Sequence, residues 1–186
     1  MAISISKHEI DATLPKIKEG LGKYLWLQNQ VGNDEAFYKS PEFRRKFNYF
    51  YRVRRGEKWQ QEFYALMNVA LEKKLTFDAV LNQLHKATSR MEASFASKLY
   101  ATINPSAPVI DSIVLRNVGL RLPYVGAHDR ADRICQIHVT LGALFDAYLQ
   151  TKDGVYLVDM FDREYSEARV RITDQKKLDL VLWQLR

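Results

Sequence analysis

Apolar residues recur every three or four positions along most of the chain. Ile10, Leu14, Ile17, Leu21 and Leu25 set the first stripe and predict a helix over roughly residues 8–28. Pro15, Gly20 and Gly22 fall within it, so it should bend or split. Val31–Asp34 reads as a turn. Ser40-Pro41 then gives an N-cap followed by proline at the first helical position. Phe43, Phe47, Phe50 and Tyr51 share one side of the helix that follows, which ends before Gly56. Trp59, Phe63, Leu66, Met67 and Ala70 mark a longer helix over residues 57–74. Thr76 caps the next, with Phe77, Val80, Leu81 and Leu84 inward.

The second half repeats the pattern. A helix over residues 91–103 is stopped by Asn104-Pro105. After Asp111 a short helix carrying Ile113, Val114 and Val118 should close at Gly119. Residues 121–129 form a loop, and helix resumes over 129–149. Asp153-Gly154 punctuates the chain before a further helical stretch, and Thr173 or Asp174 caps the last helix. Only "VIDSIVL" could equally be a strand. The expectation is an all-α single domain over residues 1–186, of eight to ten mostly short helices, with room for two closely packed helical lobes.

Composition narrows the classes. Hydrophobic residues make up 47% of the 186, enough for a packed core and too many for a disordered chain. No apolar run approaches the roughly 18 residues that cross a bilayer, and residues 1–11 lack the apolar stretch of a signal peptide. A cytoplasmic protein without a membrane partner is the expectation. Cys135 is the single cysteine, which rules out an internal disulfide and a cysteine-based zinc site. His8, His85, His128 and His138 show no metal-ligand spacing, so neither metal nor cofactor is expected. The formal charge of +6 suits an anionic partner such as nucleic acid.

One stretch carries a more specific signal. "SFASKLYATINPSAPVIDSIVLRNVGL", Ser94 to Leu120, is a helix, a proline break, an apolar approach, a lone aspartate and a short helix bearing Leu115-Arg116. It resembles the helix-hairpin-helix DNA glycosylase superfamily over roughly Phe77–Leu120. The resemblance implies that Asp111 occupies the family aspartate, at the mouth of a base pocket. It further implies that "FDAVLNQLHKATSRMEA" holds the helix before the DNA-gripping hairpin. "TSRMEAS" contains neither the glycines of that hairpin nor its nucleophilic lysine, and Lys98 lies well inside the next helix. What the resemblance implies is therefore excision of a damaged or modified base without lyase chemistry, on DNA rather than RNA. The alternative is a non-catalytic helical DNA- or protein-binding module that keeps the scaffold.

The residues themselves leave each role open. Asp111 can stabilise a sugar cation as a base departs, or serve only as an N-cap. Lys98 and Ser94 share a helix edge, where Lys98 could meet a phosphate, pair with a carboxylate or face solvent. Arg52, Arg54 and Arg55, interleaved with aromatics, suit phosphates and bases, but also suit an exposed basic face. Arg116 and Arg121 would add a basic rim beside Asp111.

Overall fold

In the computed structural model, which describes residues 2–33 and 36–185, Pro15 splits the first predicted helix. Helix α1 (Lys7–Thr13) starts from a capping box: Ser6 accepts from the Glu9 backbone N–H, and the Glu9 carboxylate accepts from the Ser6 N–H at 2.8 Å. Pro15 stands in a 3-10 turn, Leu14–Lys16, and α2 (Lys18–Asn33) follows. The turn expected at Val31–Asp34 is overridden, because α2 continues to Asn33; Asp34 lies outside the described residues.

Ser40 and Pro41 start α3 (Pro41–Tyr51) as the sequence indicates, with the Ser40 hydroxyl accepting from Phe43 N. Arg52 ends it in the left-handed region at φ 55°. Next come α4 (Glu57–Glu72), α5 (Phe77–Thr88), α6 (Ala93–Ile103) and α7 (Ser112–Asn117). Thr76 caps α5, and Gly119, at φ 72°, closes the turn after α7. Val109 and Ile110 are buried, and the "VIDSIVL" ambiguity resolves as a short approach followed by helix. Then come α8 (Arg130–Leu149), α9 (Lys152–Glu164) and α10 (Asp174–Gln184). Gly154 is not the break it resembled. Thr151 caps α9 by accepting from Gly154 N, and the glycine is buried in the first turn against the end of α8. Among the described residues there are ten α-helices, three 3-10 turns and no strand. No helix among them is long and apolar enough to cross a membrane.

The buried side chains form one cluster rather than two lobes. One side is aromatic: Phe43, Phe47, Phe63 and Tyr64 lie with ring centroids 5.3–6.3 Å apart, and each is fully buried. Burying one such side chain contributes roughly 1.5–3 kcal/mol. The other side joins Ile134, Leu141, Phe145, Leu157 and Phe161 from α8 and α9. Helix α10 packs against α1, α7, α8 and α9. Every residue from Lys176 to Leu182 is buried, charged ones included. Lys177 is neutralised by Asp162 at 2.7 Å and Asp174 at 2.8 Å.

Candidate functional site

Asp111 is held by two neighbours. The fully buried Ser97 on α6 donates its hydroxyl to the Ser94 carbonyl at 3.0 Å and accepts the Ile110 N–H at 2.9 Å. That fixes the extended segment just before Asp111. Asp111 then caps α7, with Oδ1 accepting from Ile113 N at 2.9 Å. One carboxylate oxygen is thus committed to the helix. The residue also lines a cleft of about 540 Å³, inside the roughly 300–1,000 Å³ of small-molecule sites.

Lys98 comes from the neighbouring helix. Its ammonium donates to the Tyr51 carbonyl at 3.1 Å, at the C-terminal end of α3, where a cation complements the helix dipole. Burial pulls the Lys98 pKa below the usual lysine value, and the Asp111 charge opposes that shift. Arg52 and Arg54 line the same cleft from the segment after α3. The Arg52 guanidinium lies 5.1 Å from the Trp183 ring centroid. Neither arginine has a carboxylate within ion-pair distance among the described residues.

The deepest wall belongs to α10, which sequence reasoning did not place in the site. Lys176 and Asp179, one helical turn apart, pair at 2.6 Å with side chains only 4% and 8% exposed. The Lys176 ammonium lies 5.0 Å from the Tyr24 ring centroid, 5.9 Å from Tyr51 and 6.0 Å from Phe50. Burial alone would lower its pKa; Asp179 and the two phenols reverse that and hold the ammonium above the usual lysine range. Burial likewise raises the Tyr51 phenol. Asp179 Oδ2 takes the lysine, whereas its buried Oδ1 accepts no hydrogen bond among the described residues. Asp111 and Lys98, from α7 and α6, line the same cleft as the Lys176–Asp179 pair.

Six cations line the cleft (Lys16, Lys23, Arg52, Arg54, Lys98, Lys176) against three carboxylates (Glu19, Asp111, Asp179). Tyr49, Phe50, Tyr51 and Trp183 supply flat apolar surface among them. Tyr49 is 69% exposed at the edge, with the Lys23 ammonium 4.2 Å from its ring centroid.

Of the residues expected from sequence, Asp111, Lys98, Arg52 and Arg54 therefore meet in one place. The others do not join them. Arg55 pairs with Glu92 at 3.1 Å and lies over Phe95. Ser94 is half-buried on α6 and serves Ser97 through its carbonyl. Arg116 and Arg121 are exposed and outside the lining, so the basic rim beside Asp111 comes from the end of α3 rather than from α7. No cluster of three or more potential metal ligands occurs among the described residues. Sequence reasoning missed Lys176 and Asp179 because they share one side of α10 with Gln175 and so read as an exposed polar pair.

No family model, curated protein or solved structure matches the chain.

Proposed function

We propose that the protein binds nucleic acid, DNA in preference to RNA, and admits a single base into the cleft beside Asp111. The observation that carries this reading is the convergence of Asp111, Lys98, Arg52 and Arg54 on one aromatic-lined cavity. Arg52 and Arg54, with no carboxylate in ion-pair distance among the described residues, suit backbone phosphates. Tyr49 and Trp183 suit the face of an unstacked base. With one oxygen capping α7, the Asp111 carboxylate keeps a second for the sugar. A negative charge there stabilises the oxocarbenium-like sugar as the base leaves, which is hydrolytic base excision without a covalent enzyme intermediate.

The second reading, a binding module without catalysis, has its own support. Asp111 and Lys98 each have a structural task, capping α7 and the end of α3. The turn between α5 and α6 carries Glu92, whose side chain is 8% exposed and salt-bridged to Arg55. An acidic group in that turn disfavours a phosphate.

The experiment combines binding and excision. Affinity for a labelled duplex should fall with salt, and the two phosphates met by Arg52 and Arg54 give a slope of about −1.8 in log K against log salt. Single-turnover excision over a panel of modified bases then separates the readings. Asp111→Asn retains capping, because Asn and Asp are comparable N-caps. It should keep binding and fold but lose base release by orders of magnitude. Salt-insensitive or absent binding would overturn both nucleic-acid readings, excision and DNA-binding module alike; salt-dependent binding without excision on any substrate would leave the DNA-binding module.

A further inference from the structure

The exposed side of α3 leads into the cleft mouth. Arg45 and Tyr49 stand one turn apart on that helix, both exposed, and Arg52 follows at its end. Tyr51 and Val53 turn inward, which leaves Arg52 and Arg54 on the outer side together. Tyr49 is 69% exposed although it lines the cleft, so its ring is open to a partner even with the Lys23 ammonium 4.2 Å from its centroid. One turn along the same α2–α3 seam, Lys46 lies 3.7 Å from the Trp26 ring centroid. We propose that this face is the path of an unpaired nucleic-acid strand: nucleotides flanking the base in the cleft lie along α3, with a neighbouring base on Tyr49 and phosphates at Arg45, Arg52 and Arg54. This rests on the nucleic-acid reading above and names its substrate class, a strand that is single at the protein surface.

Charge and shape together select that partner. Arg45, Arg52 and Arg54 have no carboxylate within ion-pair distance among the described residues, whereas Glu42 is already held by Lys46 at 2.9 Å. Cations spread along one helix face answer a row of phosphates. An acidic peptide would meet the same charges but gains little from an exposed flat ring, on which a base stacks. In a duplex the base faces are covered by their neighbours, so Tyr49 takes a base only where the strand is unpaired. The path is short. Seven residues, from Arg45 to Arg52, span about 10 Å of helix, or roughly three nucleotides at about 3.4 Å each.

The test uses the full chain and labelled oligonucleotides read by fluorescence anisotropy. A single strand should bind about fivefold or more tightly than the fully paired duplex of the same sequence, the gain from one stacked base. In Tyr49→Ala that preference should vanish. Arg45→Gln, outside the cleft lining, should make the slope of log K against log salt shallower by about 0.7, the contribution of one phosphate on a single strand. Duplex binding as tight as single-strand binding would overturn the proposal, and this wild-type comparison decides it even where a variant fails to fold. A folded Tyr49→Ala that keeps the full preference would overturn it as well, as would an unchanged salt slope in folded Arg45→Gln. Displacement of the strand by a polyglutamate peptide at equal charge concentration would replace the nucleic acid with an acidic protein segment. If this proposal alone fails, salt-dependent binding that Arg52→Gln weakens remains. Failure of every oligonucleotide to bind would remove the nucleic-acid reading and this proposal with it.

Discussion

Acidification from pH 7 to 5 should weaken the fold through one residue, His138. It lies on α8, 8% exposed, stacked on Phe77 with ring centroids 3.9 Å apart and an interplanar angle of 11°. Tyr100 packs edge-on at 5.7 Å. One ring nitrogen donates to the Pro108 carbonyl, and Nε2 is buried without a partner among the described residues. Protonation would place a charge on that unpartnered nitrogen in an apolar pocket, so burial pulls the pKa from 6.5 to about 4. The sign follows from the depression. The unfolded chain takes up the proton first, so the contribution is complete above the unfolded value. It is lost as pH falls from about 6.5 toward 4. The loss reaches about 2 kcal/mol by pH 5 and about 3 kcal/mol by pH 4. Urea unfolding of the wild type and of His138→Phe at pH 7 and pH 5 measures it. Comparing the two pH differences removes any constant cost of the substitution. The wild type should lose about 2 kcal/mol more than the variant. Equal losses, or an imidazole that titrates above pH 6 by NMR, would refute the argument.

Two further outcomes follow from local geometry. Cys135 donates to Asp78 at 3.5 Å, and burial with that carboxylate pushes the thiol up to about 11. Alkylation by iodoacetamide at pH 8 should be slow, with about a hundredfold less thiolate than an unperturbed cysteine of 9.0 would have, and Asp78→Asn should accelerate it. Gly154→Ala puts a methyl group into the Tyr148 carbonyl at the α8–α9 corner and should destabilise the protein by about 1–3 kcal/mol; an unchanged urea midpoint would show that the corner adjusts freely.

Helix positions were legible where a side chain marks a boundary, as at Ser40-Pro41, Thr76, Gly119 and Thr173. Gly154 misled because a glycine punctuates a chain on average. Here it instead permits close approach to α8 inside a helix. Part of the cleft was legible too. Asp111 at a helix start and the basic run after Tyr51 both carry local signals. Lys176 and Asp179 carry none of that kind, since a Lys-x-x-Asp spacing usually marks an exposed pair. Its burial depends on α10 being enclosed by four other helices, which no local pattern encodes. Arg55 differs from Arg54 for a similarly non-local reason, because its partner Glu92 lies 37 positions away.

The cleft is assembled from four stretches, around residues 16–23, 48–54, 98–114 and 176–184. No two consecutive helices enclose it. Its formation must therefore wait for contacts between distant parts of the chain, which are the slow ones to form. Before α10 docks, the aromatic faces of Tyr24, Phe50 and Tyr51 lack the Lys176 ammonium that sits beside them in the finished structure. A folding intermediate without α10 would be mostly helical by circular dichroism yet have no ligand pocket. Recovery of binding would then lag behind recovery of helix, and the length of that lag would time the arrival of one helix.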